Sequence, residues 1–260
     1  MMRRLTFAAT AVALAAVLAV PAALAGKQWD KFKEESHQSF DAGAHGRLTL
    51  TNVNGDVTVT GYDGTTIEVD AVKFASSEER LHEVTIESSM KNGRVVIEVD
   101  IDNDHHDEHG NAGVAFTIRV PRGTRIDELA LVNGDLELEG IGAPVEASSV
   151  NGNVTARQLS GEVDLSAVNG DVDLTVAGKV DEIKLHSVNG TVELVIPRDA
   201  DARVSASTVH GSIRGTGDIK AEKNFVGSTL SSVLGEGRGR IDLNTVNGNI
   251  RIYHDDEERG

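Results

Sequence analysis

The chain has 260 residues, a formal net charge of −16, no cysteine, one tryptophan, two tyrosines and six phenylalanines. Such an acidic balance disfavours nucleic acid and anionic lipid as partners, because their phosphates would be repelled rather than neutralised, and neither is expected. Without cysteine there are no disulfides, so stability must come from packing and backbone hydrogen bonds. So few aromatics argue against a sugar groove lined by rings.

The first 25 residues read as a secretory signal peptide. Arg3 and Arg4 precede an apolar run from Leu5 to Val20, Pro21 follows, and Ala23-Leu24-Ala25 has the spacing of a cleavage site. Cleavage would expose Gly26 and shift the charge from −16 to −18, since the lost segment carries two arginines and no acid. No other long apolar stretch follows, so no membrane span is expected after cleavage. The expected location is the periplasm, the cell surface or the extracellular medium.

Residues 26–44 form a polar leader with Trp29, Phe32 and Phe40. Its readings are a short amphipathic helix, an ordered cap or a flexible segment. A β-repeat domain is expected over 45–254, followed by a charged tail at 255–260. Leu48-Thr-Leu50 and Val57-Thr-Val59 alternate around Asn54-Gly55, and Ile67-Glu-Val69 follows the turn signal Asp63-Gly64. Residues 73–127 interrupt the repeat as an insert. Within it, Ser76 and Glu79 have capping-box spacing for one helical turn. Three strands are expected around Val84–Ile86, Val95–Ile101 and Val114–Val120, the first two joined by a hairpin at Asn92-Gly93.

The insert also holds the densest polar cluster, Asp102-Asn-Asp-His-His-Asp-Glu-His109. Asp104, His105, His106 and His109 are its candidate metal ligands, because imidazole and carboxylate suit zinc, nickel or copper. The preferred expectation is a solvated acidic loop, with no metal and no cofactor.

From Leu129 onward one tripeptide dominates. Val-Asn-Gly begins at Val53, Val132, Val150, Val168, Val188 and Val246, with a relaxed copy at Val209-His-Gly211 and a weaker one at Val233-Leu-Gly235. Between Val132 and Val209 the steps are 18, 18, 20 and 21 residues. A period near twenty marks stacked supersecondary units. Within a unit, Val163, Leu165 and Ala167 alternate with Asp164 and Ser166. After the corner, Val172, Leu174 and Val176 alternate with Asp171, Asp173 and Thr175. Each unit is therefore two half-buried strands joined by an Asn-Gly corner, with a second glycine corner such as Ser160-Gly161 or Ala177-Gly178.

Two architectures satisfy this pattern. Asn-Gly suits a type I′ hairpin, which would give an antiparallel meander or sandwich. Alternatively the chain turns a corner and winds on, giving an all-β solenoid whose asparagines stack in a ladder. The repeated valine is expected to be buried, because neighbouring outward positions vary freely while this one does not. That expectation favours the solenoid.

Thr51-Asn-Val-Asn-Gly-Asp-Val57, Phe116-Thr-Ile-Arg-Val-Pro-Arg-Gly123 and the serial Val-Asn-Gly units ending at Tyr253 together resemble the bacterial DUF4097 family, the "putative adhesin" or β-strand repeat proteins. The resemblance covers residues 45–253. It implies an exported protein with a repetitive β fold, and it brings no catalytic residues.

No catalytic constellation emerges from the residues. The outward acids Glu137, Glu139, Glu146, Glu162, Asp164, Asp171, Asp173 and Glu193 alternate with polar residues as a solvated face does, and nothing marks a glycosidase pair. Gly235–Gly239 lacks the Lys-Ser/Thr ending of a phosphate loop. His186 falls on the outward face, and His210 replaces a corner asparagine. The expected function is binding or structural, in the bacterial cell envelope, with an envelope protein or glycan as partner and homo-oligomers through the solenoid ends. The alternatives are a polysaccharide hydrolase or lyase on a β-helix scaffold and a metal-binding envelope-stress accessory protein.

Overall fold

The structure is a computed structural model that describes residues 31–102, 111–216, 219, 222–223 and 227–255. The signal segment 1–25, the ligand candidates Asp104, His105, His106 and His109, and tail residues 256–260 lie outside these. The described residues form nineteen strands and one short helix. In chain order they are β1 (Phe32–Asp41), β2 (Arg47–Asn54), β3 (Val57–Tyr62), β4 (Thr66–Ala75), α1 (Glu78–His82), β5 (Val84–Lys91), β6 (Arg94–Ile101), β7 (Ala112–Pro121), β8 (Arg125–Asn133) and β9 (Leu136–Glu139). There follow β10 (Val145–Asn151), β11 (Val154–Asn169), β12 (Val172–Asn189), β13 (Val192–Ile196), β14 (Ala202–His210), β15 (Ile213–Gly215), β16 (Glu222–Lys223), β17 (Ser228–Leu234), β18 (Gly239–Asn247) and β19 (Ile250–His254).

Parallel pairing decides between the two architectures. β10 pairs with β8 and β11, β11 with β12, and β12 with β18, all parallel. An antiparallel meander would reverse the chain at every Val-Asn-Gly corner, and here it winds on instead. The chain is a two-faced β-solenoid. One face stacks β6, β2, β8, β10, the second half of β11, the second half of β12, β18 and β14. The other stacks β7, β3, β9, the first halves of β11 and β12, then β13, β19 and β15. Val163, Leu165 and Ala167 on the first face and Val172, Leu174 and Val176 on the second enter one hydrophobic core, as the alternation requires.

Stack order departs from chain order at both ends. The first coil, β2–β3, lies between the β6–β7 coil and the β8–β9 coil. The last, β18–β19, lies between the β12–β13 coil and the β14–β15 coil. The outermost parallel coils are covered by antiparallel strands: β5 on β6, β4 on β7, β1 on β4, and β17 on β14.

Several local expectations change. Residues 73–127 do not interrupt the solenoid, because β6 and β7 supply one of its coils without a Val-Asn-Gly corner. Residues 32–41 form strand β1, its partner β4 providing the hydrogen bonds that a helix would have made internally. The helix N-cap is Ser77 rather than Ser76, and its side chain accepts from the Arg80 amide at 3.2 Å. Val233-Leu234-Gly235 makes no corner, since β17 runs antiparallel to β14. The Asn92-Gly93 hairpin forms as expected, with φ of 53° and 74°. It is the one Asn-Gly where both residues take the left-handed conformation that a type I′ turn demands.

Candidate binding face

The Val-Asn-Gly corner works through contacts between coils. Gly152, Gly170, Gly190 and Gly248 follow one another up the stack, and a Cβ on any of them would lie 1.8–2.0 Å from the carbonyl oxygen of the corner glycine below. Glycine is required there by close approach of two backbones, and its φ is secondary. Each corner amide donates to the next coil: Gly134 to the Asn151 carbonyl at 3.1 Å, Gly190 to that of Asn247 at 3.1 Å.

The asparagine beside it runs a second chain of bonds in the opposite sense. Asn133, Asn151, Asn169, Asn189 and Asn247 each donate Nδ2 to Oδ1 of the preceding asparagine, at 2.8–2.9 Å. His210 occupies the next rung, paired in register with Asn247. A third row follows the glycine, where Asp56, Asp135, Asn153 and Asp171 accept through Oδ1 from the backbone amide of the following coil at 2.6–2.9 Å. On the inner side, Ser149, Ser187, Thr245 and Thr208 are buried and donate to corner glycine carbonyls at 2.9–3.0 Å. Buried hydroxyls are thus satisfied by the groups that the bend takes out of the ladder.

The valine is where sequence reasoning went astray. Val53, Val132, Val150, Val168, Val188, Val246 and Val209 are each 37–42 % exposed, so the expected burial is overturned. The residue before each valine points inward, and the strand pleat sends the valine outward. Seven valines from seven consecutive coils make one apolar row at strand spacing, about 4.8 Å per step. Packing does not demand valine there, and the sequence signal for this face was the recurrence itself.

An open depression of 590 Å³ runs beside the row. Its walls carry Ser148, Ser166, His186, Asn244 and Ser207 next to the valines, and no carboxylate or basic amine. In a chain of net charge −16 this is a neutral band. His186 sits in it as an outward, half-buried side chain, 3.5 Å from Asn244.

A second feature escaped the sequence reading altogether. Arg94, Arg47 and Arg125 occupy the same register position on three consecutive coils. All three reach Asp127, Arg47 through two bonds of 2.7 and 2.8 Å, Arg94 through Nε at 3.0 Å and Arg125 at 3.2 Å. Asp127 is the extra residue of a β-bulge, because Leu48 and Thr49 pair with Ile126 and Glu128 and skip it. Burial pushes its carboxyl up, but the hydrogen bonds from Arg47 and Arg94 hold it below the usual aspartate range. The clue was available: Ile126 and Leu129 are three residues apart where Leu48 and Leu50 are two.

The outward acids lie along both faces as expected, and neither the valine-side depression nor the one beside Arg47 and Arg125 is lined by a carboxylate. Among the described residues no group of three His, Asp or Glu could hold a metal, and no helix is long and apolar enough to cross a membrane.

Parallel stacked coils, a shared core and an asparagine-laddered corner define a repetitive β-solenoid of the corner-ladder kind. Over residues 47–253 the chain matches the family model described as Toastrack DUF4097, and it belongs to that family. No curated protein matches it. Among solved structures, a "putative cell adhesion protein" from Clostridium sporogenes is similar at 14% identity and TM-score 0.52, covering 86% of this chain and 100% of that one. A "putative adhesin" from Bacteroides fragilis is similar at 14% identity and TM-score 0.43, covering 87% and 100%. A "putative lipid binding protein" from Parabacteroides distasonis gives 12% identity and TM-score 0.35, covering 85% and 96%. At these identities the first likeness supports the fold.

Proposed function

We propose that this protein is exported to the bacterial cell envelope and acts there without catalysis, binding a partner protein along its valine row. The observation that carries the reading is the row itself. Seven large apolar side chains stand in line, 37–42 % exposed, although the core would be complete without them. Contiguous exposed apolar surface of this kind marks interaction sites more than it marks packing. A protein suits the face better than a glycan, because the row offers aliphatic contact and no aromatic ring for a sugar to stack on. The adhesion names given to similar structures agree with a binding role. Pairing between solenoid ends is a further route to assembly, limited by the antiparallel strands that cover both ends.

The test is site-specific photo-crosslinking in envelope fractions of the producing cell. A crosslinking residue at Val168 should capture one discrete protein, and the same residue at Thr155 on the other face should not. Changing Val150 and Val188 to aspartate should abolish the Val168 product. Equal labelling at Val168 and Thr155, or a product that survives both changes, contradicts the proposal. N-terminal sequencing of the processed protein should begin at Gly26.

A further inference from the structure

We propose that Arg47, Arg94 and Arg125 form a binding site for a small oxyanion group (a carboxylate, sulfate or phosphate), separate from the valine row. Three features converge on it. The arginines stack in register on adjacent coils, although 47 and 125 are far apart in sequence. Their side chains are 45–52 % exposed, so the guanidinium groups remain open to solvent. Arg47 and Arg125 line an open depression of 490 Å³, together with His45 and the backbone bends at Gly123, Gly142 and Pro144, and Arg94 stands beside Arg47 on the next coil.

The charge balance is what calls for a ligand. Among the described residues Asp127 is the one carboxylate that reaches all three arginines, and its side chain is only 10 % exposed. Both of its oxygens accept from Arg47, and it can neutralise a single guanidinium charge. Two positive charges are left over in one row, within a chain whose overall charge is −16. A row of acids would be cheap to build on this surface, yet here the cations are concentrated and then held in place by a bulged carboxylate. Asp127 fixes the direction of the guanidinium forks as a positioning residue. Each fork has five N–H donors, and Arg125 meets Asp127 as an ion pair, with Nε 3.2 Å from Oδ1, so donor capacity remains for a planar or tetrahedral oxyanion. Arg122 lies at the edge of the same bend, but it is engaged with the Gly140 carbonyl at 2.9 Å and with Asp63 at 3.3 Å. It adds field more than contacts.

The experiment is calorimetric titration of the processed full chain with sodium sulfate, sodium phosphate and sodium acetate, each at constant ionic strength set by chloride. At least one probe should bind saturably with one site per chain, and which one binds names the chemical group. Arg47→Gln and Arg125→Gln should each weaken that binding about tenfold, the loss of one charge-assisted fork. Asp127→Asn should tighten it, since the internal competitor for the same donors is gone. Circular dichroism checks that each variant is folded, and the two arginine variants, altered at half-exposed side chains, carry the test should Asp127→Asn fold poorly. No saturable binding by any of the three anions, or binding unchanged in both arginine variants, overturns the proposal. Neither result bears on the valine row, whose crosslinking is read independently.

Discussion

The side-chain amide of Asn247 donates to Oδ1 of Asn189 at 2.8 Å, across 58 residues of sequence. The same two coils are joined in the opposite sense by the Gly190 amide, which donates to the Asn247 carbonyl at 3.1 Å. Backbone and side-chain dipoles therefore run antiparallel along the corner, and their fields partly cancel over the length of the stack. Asn189 also donates to Asn169 at 2.9 Å, so it is an interior rung with two amide bonds.

Asn189→Ala should cost about 2 kcal/mol, two net hydrogen bonds at the usual value near 1 each. Asn189→Asp should be worse at neutral pH, because a carboxylate can accept from Asn247 but cannot donate to Asn169. Its carboxyl pKa in the folded state would be raised, so the deficit should appear above that value and vanish as pH falls below the ordinary aspartate range. Urea unfolding at pH 7 and pH 3 checks both; equal stability of the two variants at both pH values would refute the ladder's contribution.

Gly170 and Gly161 separate two reasons for glycine. At Gly170 a Cβ would lie 2.0 Å from the Gly152 carbonyl oxygen, and that backbone cannot withdraw without opening the stack. Gly170→Ala should cost about 3 kcal/mol or prevent folding. Gly161 has φ of +91° and open space around the missing Cβ, so Gly161→Ala should cost about 1 kcal/mol of backbone strain. Thermal unfolding followed by circular dichroism ranks the two, and a milder effect at Gly170 would contradict the coil spacing.

Asp127 should contribute to the acid sensitivity of the fold. Burial raises its carboxyl pKa, and the bonds from Arg47 and Arg94 overcome this and depress it. A depressed carboxylate contributes stability that is present above the unfolded value, about pH 4, and is lost as pH falls through the folded value. Asp127→Asn should therefore flatten the acid limb of stability against pH below about 4. An acid limb identical to that of the parent chain would show that the arginine contacts do not form.

Val168 and Leu165 lie on one strand, three residues apart, with opposite fates. Val168 is 39 % exposed and Leu165 is fully buried. Val168→Thr should change stability by about 0.5 kcal/mol or less, whereas Leu165→Ala should cost about 3 kcal/mol. Denaturant midpoints check this, and comparable losses at both sites would return the valine to the core.

The solenoid was legible because its rules are local and repeated. Alternation around each Asn-Gly showed which side chains face inward, and a period near twenty showed stacking. The valine misleads because recurrence resembles packing, whereas the pleat after an inward Ala167 or Ser187 turns it outward. The β6–β7 coil was hidden because it lacks the corner tripeptide and is held only by pairing with β2 and β3. Stack order was beyond reach for a related reason: the inward alternation of β14 would suit a place on β12 as well as that of β18, which occupies it. The arginine cluster depends on the intercalation at the other end, where β2 lies between β6 and β8, and only the broken spacing between Ile126 and Leu129 announced its bulge.

The intercalated order of the last coils is the claim on which the continuous ladder and the neutral face depend, and cysteine cross-linking reads it directly. The chain contains no cysteine, so paired substitutions report without interference. In the stack described here, Val188 and Val246 stand on adjacent coils, while Val188 and Val209 are two coils apart. Adjacent parallel positions fall within the Cα separation a disulfide spans, and positions two coils apart, about 9–10 Å, do not. Under mild oxidation, Val188→Cys with Val246→Cys should form an intramolecular disulfide and Val188→Cys with Val209→Cys should not. The reverse outcome would mean that the coils follow chain order and that the last coil is not intercalated.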